Sequence, residues 1–238
     1  MSRFRGVPSE CVALPALPHE ATLAIGTDMT SELGVTKHQK PLPKEMVGVA
    51  KGNFPSFIPK TDEPNFQGVR DLHSLMEGAH WYVTEKADGT SCTTYVNEAG
   101  LHVCSRNLEL VEGDSLYWRM AKQYQLDRVQ KGIALQFEIV GPGVQGNPMG
   151  LATNEIRVFT AHQIGRDRLD AVALIDLCDQ HTLPIAKIIA YGRGNCTQDQ
   201  LRKMDEIKYQ NGSHGEGIVI RAIDSAWSFK VINLLYKD

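Results

Sequence analysis

Lys86 stands two residues ahead of Asp88-Gly89 in the run Thr84-Glu85-Lys86-Ala87-Asp88-Gly89-Thr90-Ser91. β-type residues lead in, Trp81-Tyr82-Val83, and lead out, Ser91-Cys92-Thr93-Thr94-Tyr95-Val96. That places the lysine in a tight turn between two strands, where Asp-Gly is favoured. A lysine fixed at a strand end becomes a nucleophile when desolvation or neighbouring positive charge lowers its proton affinity. Asp88 can orient the ammonium or a bound metal, and Gly89 lets the backbone approach a ligand closely. Lys-x-Asp-Gly turns up by chance in roughly one chain in twenty of this length. The motif alone therefore also fits a hairpin turn with a solvated lysine, and the weight falls on what the rest of the chain supplies.

Five further positions could do chemistry. Ser105-Arg106-Asn107 follows a short strand, and an arginine between small polar residues at a strand end can hold a phosphate bidentately. Glu138 lies inside the apolar run Phe137-Glu138-Ile139-Val140, where a carboxylate needs a partner, a metal or an exposed face. Phe159, in Val158-Phe159-Thr160-Ala161-His162, is available for stacking on a base or for the core. Glu216 sits between two glycines in His214-Gly215-Glu216-Gly217-Ile218, a sign that something approaches the backbone there. Lys230 lies inside the last strand, between Phe229 and Val231, and if buried must face a pocket or pair with an anion.

The elements that must position these residues are mostly strands. Residues 1–50 are rich in proline and short apolar pieces and read as loops with one or two short strands. Residues 52–64 carry three prolines and are extended. Residues 65–77 place Phe66, Val69, Leu72, Leu75 and Met76 on one helical face. Strands are predicted near 81–86, 91–97, 100–104, 134–140, 156–164, 185–190, 216–222 and 227–233. Helices are predicted near 114–125, near 168–180 after Asp167, and at 197–207, the last opened by a Thr197/Gln200 capping box. Consecutive strands joined by short turns point to an α+β architecture, antiparallel sheets with helices outside.

In chain order these features run lysine turn, arginine turn, strand glutamate, strand aromatic, glycine-flanked glutamate, strand lysine. This is the order of the six nucleotidyltransferase motifs of the covalent ligase and capping-enzyme superfamily. In detail the chain resembles RNA ligases. Glu85-Lys86-Ala87-Asp88-Gly89 matches the nucleophile motif; Ser105-Arg106-Asn107, Phe137-Glu138, Phe159, Glu216-Gly217-Ile218-Val219 and Phe229-Lys230 match the rest in turn. Residues 52–62 and 143–148 look most like the Deinococcus-type nick-sealing RNA ligases.

The resemblance covers about 35–238. It implies a ligase-type nucleotidyltransferase domain there, with 1–34 a short N-terminal segment, the remnant of an OB-fold module. Many relatives carry two lysines in the last motif, and here Ser228 stands at the first.

The resemblance also implies an ATP-dependent ligase. Lys86 would take AMP from ATP, pass it to a 5′-phosphate, and a 3′-hydroxyl would displace it at an RNA end or in a nicked duplex. Glu138 and Glu216 would hold Mg²⁺ or Mn²⁺, hard cations that prefer carboxylate oxygen. Phe159 would stack on adenine, with Thr84 and Glu85 reading its edge. Gly89 and Glu138 would also belong to the nucleotide site. Arg106 and Lys230 would hold phosphates, Lys230 and Asp88 acting with Lys86 in catalysis. Lys51, Lys60 and Arg70 would touch the polynucleotide. The alternative is a catalytically weak relative that binds RNA without sealing it. A GTP-using capping enzyme would need a C-terminal OB domain for which there is no room.

Composition sets bounds on all this. At 238 residues, 42% hydrophobic and 22% charged, the chain suits one large globular domain or one with a small appendage. A net charge of -3 argues against a protein held on nucleic acid by bulk charge, though not against a local basic groove. Five scattered cysteines lack metal-ligand spacing and read as reduced thiols. No apolar run has the length of a signal peptide or a membrane span. The expectation is a cytoplasmic monomer without membrane attachment.

Overall fold

A computed structural model of the chain describes residues 2–4, 7–9 and 48–236, apart from 167, 198, 199, 202, 204–206, 224 and 226. The chain divides into two units, Met1–Pro43 and Lys44–Asp238. In the first, β1 (Ser2–Phe4) pairs antiparallel with β2 (Val7–Ser9).

The second unit is built on two antiparallel sheets. The larger has six strands in the order β3-β7-β6-β5-β8-β9: β3 is Ala50–Asn53, β5 Thr90–Asn97, β6 Gly100–Ser105, β7 Leu108–Leu110, β8 Ile133–Val140 and β9 Glu155–Gln163. The smaller has four, β10-β4-β11-β12: β4 is His80–Glu85, β10 Ile188–Arg193, β11 Gly217–Ala222 and β12 Ser228–Ile232. Sequence periodicity did not show the short strands β3, at the edge, and β7 beside it.

One face of each sheet is core. On the large sheet Cys92, Val103, Leu135, Phe137, Ile156 and Val158 bury under helices α2 (Leu116–Gln123) and α3 (Ala171–His181). Both helices start on side-chain caps that satisfy otherwise orphaned amides: Ser115 accepts from the Trp118 N–H at 3.3 Å, and Asp170 from the Ala173 N–H at 2.8 Å. On the small sheet Trp81, Val83, Ile218, Ile220, Phe229 and Val231 pack with Phe66, Met76 and Leu201. The proline-rich segment covers part of the second face of the large sheet. Ile58 packs there with Tyr95, Cys104 and Ala134, and the Gln136 amide donates to the Pro59 carbonyl at 2.7 Å.

Three predicted elements are corrected. The helix over 65–77 is two pieces, a 3-10 turn at Phe66–Gly68 and a short α1 at Leu72–Met76. Asp71 breaks it: its backbone is left-handed (φ 50°) and its carboxylate accepts from the Ser74 N–H, starting a new helix rather than continuing one. The predicted apolar face still reaches the core beneath the small sheet. The strand predicted at 185–190 is shared between sheets. Ile185 bridges Val158 of the large sheet, and β10 in the small sheet begins only at Ile188. Helix α3 begins three residues later than predicted, after Asp170; Asp167 lies outside the described residues. The capping box at 197–200 is present, with the Thr197 N–H donating to Gln200 Oε1 at 2.8 Å and the Gln200 N–H to Thr197 Oγ1 at 3.2 Å. Most of the helix predicted at 197–207 lies outside the described residues.

Candidate active site

The non-core faces of the two sheets meet across a cleft of about 220 Å³. Ser91, Glu138 and Arg157 lie abreast on β5, β8 and β9, and Thr84, Val219 and Lys230 abreast on β4, β11 and β12. Side-chain alternation therefore delivers both rows to one space, and all six residues line it.

Lys86 follows the last residue of β4. Its N–H donates to the Gly217 carbonyl at 2.9 Å, and its Nζ lies 2.6 Å from Glu216 Oε1. Gly217 permits this crossing: φ is 144°, and a Cβ there would meet the Val231 carbonyl at 2.1 Å. The turn after Lys86 is tied down twice. The buried Tyr209 hydroxyl accepts from the Asp88 N–H (3.2 Å) and the Glu216 N–H (3.1 Å), and donates to the Lys86 carbonyl (3.1 Å). The Asp88 carboxylate accepts from the Tyr236 hydroxyl. Gly89 sits against β8, where a Cβ would meet the Ile139 carbonyl at 2.2 Å.

Glu138 faces the cleft with its carboxyl pushed up to about 8. Burial is the main cause; Lys86 draws it down, while Glu216 and Asp88 push it up further. A buried carboxylate beside two others is a place where a cation is welcome. Among the described residues no three or more His, Cys, Asp or Glu are grouped to hold a metal by themselves. Glu138 and Glu216 nevertheless suit Mg²⁺ or Mn²⁺ at a phosphate site, where one or two carboxylates suffice and waters and phosphate oxygens complete the shell.

Phe159 lies at a β-bulge. Phe137 pairs with Val158 and Gln136 with Thr160, so Phe159 is an extra residue in β9. Val158 and Ala161 both bury in the core, so Phe159 and Thr160 share the opposite side, with Phe159 lining the cleft as Arg157 does two residues earlier. Behind its ring lies Arg221, fully buried, with its guanidinium 5.7 Å from the ring centroid. Arg221 donates to Thr84 Oγ1 at 2.9 Å and to Glu63 at 3.2 Å, and Glu63 also accepts from Ser228. Burial raises the Glu85 carboxyl, opposed by Lys187 and Arg157. Arg106 pairs with Asp62 at the rim.

Thr84, Glu85, Lys86, Arg106, Glu138, Phe159, Glu216 and Lys230 are brought together in one cleft. Asp88 and Gly89 support the turn from behind. Lys51, Lys60 and Arg70 lie outside the cleft lining: Lys51 pairs with Glu109 at 2.9 Å, Lys60 donates to Asn107 at 3.0 Å, and Arg70 is exposed. Sequence reasoning missed Tyr209, Tyr236, Arg157, Arg221 and Glu63. Arg221 carried a signal, since a charge at the end of the apolar run Ile218-Val219-Ile220 needs a partner.

Two antiparallel sheets closing on a lysine, paired carboxylates and a bulged aromatic define a ligase-type nucleotidyltransferase domain. The chain matches the RNA ligase family over residues 79–234 and belongs to that family. It is similar to the solved RNA ligase of Naegleria gruberi with pyrophosphate, at 30% identity and a TM-score of 0.74, over 98% of this chain and 73% of that one. Mutants of the same ligase, one with ATP and Mn and one with AMP and Mn, match at 30% identity with TM-scores of 0.74 and 0.73. No curated protein matches the chain.

Proposed function

We propose that this protein is an ATP-dependent RNA ligase of the Deinococcus-type nick-sealing branch, working through AMP carried on Lys86. The observation that carries this reading is the Lys86–Glu216 pair at 2.6 Å, in a cleft that also presents Glu138 and Phe159. Glu216 Oε1 aims the ammonium at the α-phosphorus, and its proton leaves to solvent as the amine is freed. The freed amine attacks the α-phosphorus of ATP; the N–P bond forms, the α–β P–O bond breaks, and pyrophosphate leaves. Phe159 stacks on adenine, Thr84 and Glu85 meet its edge, and Lys230 and Arg106 hold phosphate oxygens. Glu138 and Glu216 would hold Mg²⁺ or Mn²⁺, which offsets charge on the phosphates when bound. A 5′-phosphate of the strand next takes AMP from Lys86, and a 3′-hydroxyl displaces AMP to form the new phosphodiester.

The test is a two-stage assay with α-labelled ATP and Mn²⁺. Label should enter the protein, then leave it as a labelled strand end and finally as free AMP when a nicked RNA duplex with a 5′-phosphate is added. Label that enters but never leaves on any nicked or single-stranded RNA would favour an RNA-binding relative over a ligase.

A further inference from the structure

The hydroxyl of Tyr209 meets three backbone groups of the nucleophile's surroundings, and none of the chemistry above uses it. It accepts from the amides of Asp88 and Glu216 and donates to the carbonyl of Lys86. Burial pushes its proton affinity up to about 12, so the hydroxyl keeps the proton that it donates. The ring is only 3% exposed and stands on a tight loop. That loop closes through Tyr209 N–H to the Ser213 carbonyl (2.9 Å), Gly215 N–H to the Ile207 carbonyl (2.8 Å) and a bridge between Lys208 and His214. The Glu216 carbonyl is held in turn by the Asn233 N–H at 3.0 Å, and the Gly215 carbonyl by the Asn233 side chain at 2.9 Å. Both backbone groups of Glu216 are thus fixed, the amide through Tyr209.

From this geometry we infer that Tyr209 is a positioning residue, whose hydroxyl pins the Lys86 turn to the Glu216 backbone just beyond the end of the β4–β11 ladder and so holds Nζ against Oε1. Lys86 and Glu216 come from segments far apart in sequence. The ladder between β4 and β11 joins them as far as the Glu85–Ile218 pair; beyond it, among the described residues, the Lys86 N–H to the Gly217 carbonyl and the Tyr209 hydroxyl tie the two ends together beside their own ion pair. Removing the hydroxyl leaves two amides and a carbonyl without that partner on opposite sides of the reacting pair. The segments then shift, and an error near 1 Å at a nucleophile costs on the order of a hundredfold in rate. The Tyr209 ring does not line the cleft, so ATP binding is left in place.

This inference rests on lysyl-AMP formation at Lys86, and the experiment separates the two. Single-turnover labelling with α-labelled ATP and Mn²⁺ gives an amplitude, the active fraction, and a rate constant, the chemistry of each active molecule. For Tyr209→Phe the rate constant should fall roughly tenfold to hundredfold, with the ATP concentration for half-maximal rate within about twofold of wild type. A merely structural role would lower amplitude or Tm and leave the rate constant alone. Should Tyr209→Phe not fold, Tyr236→Phe, which removes one hydroxyl donor from the Asp88 carboxylate on the other side of the turn, should show a smaller fall of the same kind. A rate constant within twofold of wild type, or a loss accounted for by weaker ATP binding, overturns the assignment. A wild type that takes no label overturns the reading beneath it as well.

Discussion

Glu138 is the residue whose environment says most about its role. Its carboxyl is raised by burial to about 8, so the folded metal-free protein binds this proton more tightly than the unfolded chain does. A raised folded value gives stability that is fully present below the unfolded value, near 4.5, and is lost as pH rises through about 8. The metal-free wild type should therefore lose Tm relative to Glu138→Gln as pH climbs through that window, and Mn²⁺ should restore the wild type alone. Thermal melts of both proteins with and without Mn²⁺ check this; parallel curves would make Glu138 an ordinary buried group. Phe159 lines the cleft and belongs to no core cluster. Stacking on a base is worth ~1–3 kcal/mol. Phe159→Leu should raise the half-saturating ATP concentration about tenfold with little change in melting. A large drop in Tm at unchanged ATP dependence would make it a core residue.

At the scale of elements, the sequence showed what each segment is more clearly than how segments meet. The lysine turn was legible from Asp88-Gly89 between β-type runs, Glu138 from a carboxylate inside an apolar run, and Glu216 from the glycines on either side of it. The bulge that sets Phe159 and Thr160 on one face was not, since both residue types suit either face and hide the one-residue slip in alternation. Nor was the Tyr209 hydroxyl, whose role appears only when residues 207–215 fold back onto Lys86. Gly68 and Asp71 stand as breakers within the apolar spacing of 65–77, which alone suggested one continuous helix. Gly89 likewise changes meaning: its missing side chain makes room for β8. A Cβ would lie 2.2 Å from the Ile139 carbonyl and 2.8 Å from Glu138 Cγ. Overpacking of this kind costs ~1–3 kcal/mol or more. Gly89→Ala should thus lower Tm by roughly 5 °C and slow lysyl-AMP formation by moving Glu138. Normal labelling kinetics in this variant would show that the spacing between β5 and β8 does not govern Glu138.

For the whole molecule, a net charge of -3 separates two activities. The proposed lysyl-AMP formation would need only the cleft, where Lys86, Lys230 and Arg106 supply local positive charge. The proposed sealing would also need a grip on phosphates. Lys51 already faces Glu109 and His102, which leaves Lys60 and Arg70 as the better placed of the three candidates. Sealing of a nicked duplex should fall steeply between about 50 and 200 mM salt, while label uptake changes little. Lys60→Ala and Arg70→Ala should weaken sealing and spare label uptake. Equal sealing at both salt concentrations would reveal a phosphate grip stronger than this surface provides.

The most direct test of the central claim is to find the AMP. After incubation with ATP and Mn²⁺, peptide mass spectrometry should place one AMP on the peptide containing Lys86, with one pyrophosphate released per modified chain. Lys86→Ala should carry none. AMP on another residue, or modification that survives in Lys86→Ala, would contradict the assignment of Lys86 as the nucleophile.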